Sequence, residues 1–356
     1  MVSLFARATR NVGATHIRYL TPVSLGTATG PVAGIYRAVE RDFGMLAPPL
    51  TLHAAAPATL AAAWLMLRET LLVPGLLGRA AKEAMAAAVS STNRCPYCVD
   101  VHGTTVVGLL GAPDAAAVAA GELADPWLRA LTRWAGSGPG SLARPDGPPV
   151  SPAEAPEAIG LVVTFHYINR MVNIFLSESP LPPLPAPALR PVRRAAARIL
   201  GRLARRVPQP AGRFDLLPAA PLPADLSWAA GRPAIADAFA RAGAAFDAAG
   251  ARSVPEPVRR LVADRLAAGD RPGLDHRTWL AEAVAALAEP DRPAARLALL
   301  AAVGSYLATD ALVTDFLARG HGEDALVEVA GWASMAAARS IGDRLWRDLD
   351  GIVVDS

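Results

Sequence analysis

The chain has 356 residues, 52% of them hydrophobic and 19% charged, with a net charge of +3. This is a globular composition on the apolar side of normal, long enough for two ordinary domains, and the near-balance of charge gives no reason to expect a nucleic-acid partner. Two cysteines in a chain of this length do not make a disulfide scaffold and suggest a reducing compartment with a catalytic pair.

The first twenty residues are interrupted by Arg7, Arg10, His16 and Arg18 and have no apolar core of signal-peptide length. No stretch supplies the ~20 uncharged residues that span a bilayer, and the most apolar one, 161–176, contains His166, Asn169, Arg170 and Asn173. A cytoplasmic protein without a membrane partner is therefore expected. Lys82 is the only lysine among 35 basic residues, a compositional bias rather than chemistry.

Residues 1–30 are Gly- and Thr-rich and predict an arm with little core. Helical spacing runs over 31–43 and is broken by Pro48-Pro49. Dense apolar positions predict one buried helix over 51–71, and Pro74-Gly75 a turn. A helix over 78–91 carries Glu83 in an alanine-rich run. A helix over 95–110 follows, closed by Gly111-Ala112-Pro113, with Asp114 placed to cap the next.

The stretch Ser90-Ser91-Thr92-Asn93-Arg94-Cys95-Pro96-Tyr97-Cys98-Val99-Asp100-Val101-His102-Gly103 holds both cysteines. Proline is favourable at the first helical position, because its missing N–H has no helical partner there. Cys95 then becomes the N-cap and Cys98 lies in the first turn, near unpaired backbone N–H groups and the positive end of the helix dipole, which favour thiolate. Cys98 and His102 are spaced i, i+4 on one face, where a histidine can exchange protons near neutral pH. A dithiol redox site of Glu83, Cys95, Cys98 and His102 accounts for the pattern. Structural zinc, with His102 as a third ligand, has no further cysteine to complete its set of four. The cysteines could also be two buried small hydrophobes, and Glu83 could be a surface residue beside Arg79 and Lys82.

Glu83, eleven residues, Cys95-Pro96-Tyr97-Cys98, three residues and His102 together resemble the signature of the alkylhydroperoxidase D-like family, within the carboxymuconolactone decarboxylase superfamily. The lead-in from Pro57-Ala58-Thr59-Leu60 through Arg79-Ala80-Ala81-Lys82-Glu83 is similar too, as is Thr164-Phe165-His166-Tyr167-Ile168-Asn169-Arg170-Met171; the resemblance covers roughly 30–177. Founding members of the family carry a histidine between the cysteines, where this chain has Tyr97. The resemblance implies an all-α fold and a thiol-dependent peroxidase or disulfide oxidoreductase acting on a hydroperoxide. It implies that Cys98 attacks the peroxide, Cys95 resolves the sulfenic acid, and His102 with Glu83 moves protons through water. It implies no metal, haem, flavin or other cofactor, a dithiol or lipoyl-type electron donor, and a homo-oligomer. Helix-end physics would activate Cys95 at least as much as Cys98, so the order of attack rests on the resemblance and on His102 sharing the face of Cys98. Two further functions fit the chain: a carboxymuconolactone-decarboxylase-type enzyme, whose activity does not need the cysteine pair, and a non-enzymatic redox-sensing or assembly protein.

Beyond the motif, 137–156 is a Gly/Pro-rich loop and 157–176 a strong helix. Its His166, Asn169, Arg170 and Asn173 recur at i, i+3, i+4, i+7 and draw one polar stripe: a satisfied hydrogen-bonding row, or a row that brings His166 or Arg170 to the redox pocket. Residues 179–189 are too Pro-rich for helix or central strand. A short helix follows with seven arginines between Arg190 and Arg206 on one face and Val192, Ile199, Leu200 and Leu203 on the other. A solvated basic face is expected there, with an acidic partner or membrane surface as the second possibility. Residues 208–223 return to Pro-rich linker.

The C-terminal half reads as a worn repeat. Ala301-Ala302-Val303-Gly304-Ser305 aligns with Ala87-Ala88-Val89-Ser90-Ser91 at an offset of 214, which puts Leu297, Thr309, Leu312 and Phe316 at the positions of Glu83, Cys95, Cys98 and His102. The expected organisation is an arm over 1–30, a redox-active domain over 31–178, a Pro/Arg-rich linker over 179–224 and a degenerate copy over 225–356. Together they form an all-α protein of two tandem copies paired as an internal pseudo-dimer.

Overall fold

The computed structural model describes residues 13–137, 149–180, 185–207, 215–273 and 275–354. Among them all regular structure is helical, and the β contact is one isolated antiparallel bridge between Ile17 and Leu176. The first half contains α1 (Gly30–Asp42), a single turn (Pro48–Thr51) and α2 (Pro57–Leu67), which runs on into a π-helical turn (Arg68–Leu72). It continues with α3 (Arg79–Thr92), α4 (Pro96–Leu110), a short turn of helix (Ala115–Ala119), α5 (Pro126–Gly136), α6 (Ala155–Phe175) and α7 (Ala186–Ala204). The second half begins with a 3-10 turn (Ala224–Ala229) and contains α8 (Pro233–Ser253), α9 (Glu256–Ala267) and α10 (His276–Val284). After these come α11 (Arg292–Val303), α12 (Asp310–Leu317) and α13 (Glu323–Val354).

Proline and aspartate set most of the helix starts. Proline stands in the first two positions of α1, α2 and α4 through α9, where its missing N–H is harmless. Asp114 accepts from the Ala117 amide at 2.8 Å, and Asp125 from the Trp127 and Leu128 amides, each satisfying an orphan helical donor. Three sequence expectations change for the same reason. The helix expected over 51–71 starts only at Pro57, with His53 left in a tight turn before it. Residues 155–156, expected in the loop, open α6, and α7 starts inside the Pro-rich stretch at Ala186 with Pro185 as its N-cap. The remainder of those loops at 138–148, 181–184 and 208–214, and the arm up to residue 12, lie outside the described residues.

The two halves repeat and face each other. α3 and α11, and α4 and α12, correspond at the offset of 214, so Thr309 is the N-cap of α12 as Cys95 is of α4. α6 packs along α13 and α2 against α8, pairing each half's core helices with those of the other. At this seam Gly342 lies so close to α6 that a Cβ there would sit 2.5 Å from Val163 Cγ2. Leu297, Leu312 and Phe316 are buried in the second half, so hydrocarbon occupies the counterpart of the dithiol site. The arm straps the halves together. The Arg18 amide donates to Phe175 O at 2.7 Å and the Thr21 amide to Glu323 at 2.9 Å, while Tyr19 bonds Asp310.

α6 is the one described helix long and apolar enough to cross a membrane, but 94% of that stretch is buried inside the protein. It is a core helix, and its polar groups must find partners within the fold. Tyr167 does so with His53: Nδ1 of His53 donates to Leu50 O at 3.1 Å, so Nε2 accepts the Tyr167 hydroxyl at 2.7 Å. Burial holds the His53 pKa down, from 6.5 to about 4. The unfolded chain therefore binds a proton below pH 6.5 that the folded chain refuses until about pH 4, and stability falls as pH drops through that window. The loss is on the order of 3 kcal/mol. Urea denaturation at pH 7 and pH 4.5 should show it, and His53→Gln should flatten this part of the pH dependence.

Candidate active site

The cysteines sit on a tight elbow between α3 and α4. Asn93 ends α3, Arg94 takes a left-handed conformation (φ 50°), Cys95 is the N-cap and Pro96 opens α4. A left-handed residue other than glycine costs about 1–2 kcal/mol. Here the guanidinium of Arg94 lies over the Tyr306 ring of the second half, 4.5 Å from its centroid. The elbow turns both cysteines inward, and both are reduced and buried.

Burial decides the state of Cys98. The helix start was expected to favour thiolate, but burial pushes the Cys98 thiol well up, and its hydrogen bond with Cys95 adds to this. A hydrogen bond from Asn169 acts in the opposite direction. The first-turn dipole contribution is at most about 2 kcal/mol, whereas desolvating a charge can shift a buried group by several pKa units. In this state Cys98 is a thiol.

Glu83 and His102 form a buried pair. Glu83 is 2% exposed, which overturns a surface position for it, and its Oε2 accepts from His102 Nδ1 at 2.6 Å. Arg79, one turn earlier on α3, donates to Glu83 Oε1 at 2.8 Å. Burial pushes the Glu83 carboxyl up, but the charge of Arg79 and the hydrogen bonds from Arg79 and His102 outweigh it and hold the group below its usual range. A carboxylate on Nδ1 fixes the tautomer and leaves Nε2 as the basic atom. The ring stands edge-on to Phe165 of α6 at 4.6 Å. Among the described residues no group of three His, Cys, Asp or Glu side chains is arranged to hold a metal.

The polar stripe of α6 is a satisfied row that also reaches the dithiol. Asn169 accepts from Asn93 Nδ2 at 3.0 Å, donates to Ser90 Oγ at 3.0 Å and bonds Cys98. Asn93 Oδ1 receives Arg170 at 3.2 Å, with His166 Nδ1 at 3.1 Å. Asn173 binds the Asn93 carbonyl and Ser305, each at 3.0 Å. Asn169 is thus the side chain that sequence reasoning placed in a stripe without a role. Its signal was spacing alone, because its partners lie 76 and 79 residues away.

Cys98 and His102 line one cavity of about 460 Å³. Its walls are otherwise nearly all apolar: the turn after α1, Leu67 and Leu71, Tyr97, Phe165 and Ile168, and the inner face of α7. The arginine-rich helix is therefore a cover. Val192, Ile199 and Leu200 face the cavity, Arg193 stands exposed at its edge, 3.9 Å from Asp100, and Arg194 and Arg198 lie at the surface.

Residues 58–123 match the carboxymuconolactone decarboxylase family model. A protein of Mycobacterium tuberculosis named alkyl hydroperoxide reductase is 35% identical over 346 residues, 95% of this chain and 97% of the relative. The chain belongs to the alkylhydroperoxidase D-like family of the carboxymuconolactone decarboxylase superfamily. No solved structure matches it significantly. The family match covers α3 and α4, which carry the dithiol and the Glu83–His102 pair, and nearly all of α2, and the identity with the relative extends through both halves.

Tyr97, the departure from the family pattern, is buried with its ring edge toward His16, 6.2 Å between centroids. Burial, with the neighbouring Cys98 and Cys95, pushes its phenol well up, so it stays protonated. The cover over this site is fastened by a glycine contact: a Cβ on Gly201 of α7 would lie 2.7 Å from the backbone of Gly108 in α4. Overpacking such a contact costs about 1–3 kcal/mol, which is about five- to a hundred-fold in an opening equilibrium. Gly201→Val should accelerate alkylation of Cys98 by that factor with the overall circular dichroism unchanged. Equal alkylation rates would mean that α7 does not control access.

Proposed function

We propose that this chain is a thiol-dependent peroxidase that reduces organic hydroperoxides through Cys98 and Cys95. The observation that carries this is a buried dithiol whose Cys98 lines an apolar cavity together with a histidine oriented by a carboxylate. The name of the Mycobacterium tuberculosis relative supports the same reaction class.

In this scheme His102 Nε2 accepts the Cys98 proton as a hydroperoxide enters, and Glu83 stabilises the imidazolium that forms. The thiolate attacks the terminal peroxide oxygen, the O–O bond breaks, and the alkoxide leaves as alcohol after taking the proton back. Cys98 is now a sulfenic acid. The Cys95 sulfur displaces its hydroxyl as water and forms the Cys95–Cys98 disulfide. A dithiol or lipoyl-type donor returns two electrons and two protons by thiol–disulfide exchange. The apolar walls favour a peroxide with a hydrocarbon body over hydrogen peroxide, because burying apolar surface gives about 25 cal/mol per Å². The chain is proposed to act as a homo-oligomer, as the family resemblance implies.

With dihydrolipoamide as reductant, cumene hydroperoxide should be turned over in preference to hydrogen peroxide, and Cys98→Ser should abolish turnover. Mild peroxide should remove two hydrogens from the intact mass, with both thiols then resistant to alkylation until reduced. Thiols that stay free, or a single oxidation without turnover, would reject the enzyme.

Positioned acid–base groups contribute about 10²–10⁴-fold. His102→Ala and Glu83→Gln should each cut turnover within that range while the thermal midpoint stays close to that of the wild type. A variant that unfolds, yet has normal specific activity in its folded fraction, would make the residue structural instead.

A further inference from the structure

Beside the elbow lies a second pocket, of about 270 Å³, at the seam between the halves. Four arginines line it: Arg94 from the elbow, Arg170 from α6, Arg271 after α9, and Arg344 from α13. The one acidic side chain in its wall, Asp270, is already bound by Arg265 and by Trp279 Nε1 at 3.2 Å. No carboxylate pairs with Arg94, Arg170, Arg271 or Arg344 among the described residues.

Two of these guanidinium groups have capacity left over, and Arg170 is also held in place. Arg170 is 9% exposed. Its Nε donates to Ala302 O at 3.0 Å and its Nη1 to His166 O at 2.6 Å and to Asn93, which fixes the plane of the group and leaves Nη2 without a protein partner. Arg344 has a buried Nε with no hydrogen-bond partner. A buried charged donor left unpaired is costly. Burial, and after it the charge of Arg271, hold the Arg170 pKa down, to about 9, and the charges of Arg170, Arg271 and Arg344 all act on His166. The groups are therefore close enough to repel one another in a partly desolvated space.

We propose that this pocket binds a small multiply charged oxyanion, carrying phosphate or carboxylate groups, clamped by Arg170, Arg271 and Arg344 between the two halves. Planar guanidinium forks match the oxygens of either group in pairs, and the volume suits a molecule the size of pyrophosphate or citrate rather than a nucleotide. The pocket also touches the redox site: its wall residue Asn93 bonds Asn169, which bonds Cys98.

Calorimetric titration of the full chain with inorganic pyrophosphate and, separately, with citrate, at matched ionic strength, tests this. At least one should bind saturably and raise the thermal midpoint. Pyrophosphate alone would identify a phosphate ligand and citrate alone a carboxylate ligand, and both would indicate a general oxyanion clamp. Arg271→Gln and Arg344→Gln should each weaken binding about ten- to a hundred-fold. In anion-free buffer neither should lower the thermal midpoint, because each removes one of the three positive charges gathered around His166. Arg344→Ala is the second variant at the position with the orphan donor. No binding of either anion, or binding undiminished in all three variants, would overturn the proposal.

Discussion

α6 is buried along almost its whole length, and that constraint organises the dithiol side of the molecule. A helix with no solvent-facing stripe cannot leave its side-chain amides, imidazoles and guanidinium to water. His166, Asn169, Arg170 and Asn173 therefore reach sideways, all toward the same short elbow, and hold Ser90 and Asn93 from one side while Ala302 and Ser305 of the second half are held from the other. The elbow contains Arg94 in a conformation that costs free energy. The hydrogen-bond row around it is what makes that turn the stable one, and the turn in turn aims Cys95 and Cys98 inward. Removing a partner from such a row leaves others unsatisfied, so its members act as a unit rather than as separate contacts.

The same burial separates the resting thiol from the reactive thiolate. An exposed helix start would lower the thiol pKa by itself, and the sulfur would then be open to any oxidant. Here desolvation dominates and Cys98 stays protonated. In the proposed reaction deprotonation waits on His102, whose Nδ1 is tied to Glu83 and whose ring borders the cavity. Arg79 keeps Glu83 ionised in a place where burial alone would neutralise it. Under that proposal reactivity is tied to an occupant that reaches Cys98 and His102 together in the cavity that α7 covers.

Much of this was legible in the sequence because it is local. Pro96 fixes the helix start, and the i, i+4 spacing of Cys98 and His102 fixes their shared face. The repeat offset fixed the counterpart positions closely enough that Cys95 and Thr309 are both N-caps. What spacing does not encode is which surface a face covers. The apolar side of α7 was visible as a pattern, but a period of 3.6 residues is the same whether the helix lies on a core or roofs a cavity. The state of Cys98 was misjudged for that reason, since the roof comes from residues about a hundred positions later in the chain. The start of α2 was missed more simply: apolar density over 51–71 concealed that Pro57 is tolerated only near a helix start.

The asymmetry of the two halves is best understood through the seam. In a pair of identical halves each elbow would present the same residues to its partner, and two copies of Arg94 would approach related positions. In this chain the position repeating Thr92 is Tyr306, and the aromatic face it offers is where the Arg94 guanidinium rests. The position repeating Glu83 is Leu297, and those repeating Cys98 and His102 are Leu312 and Phe316, all buried. Each such side chain fully removed from water contributes about 1.5–3 kcal/mol, whereas a second dithiol site would bury an ion pair with a large desolvation cost. Fusion into one chain allows that division. One half keeps the costly polar chemistry, and the other supplies apolar packing and the carbonyl and hydroxyl partners, Ala302 O and Ser305 Oγ, that the first half's buried Arg170 and Asn173 require.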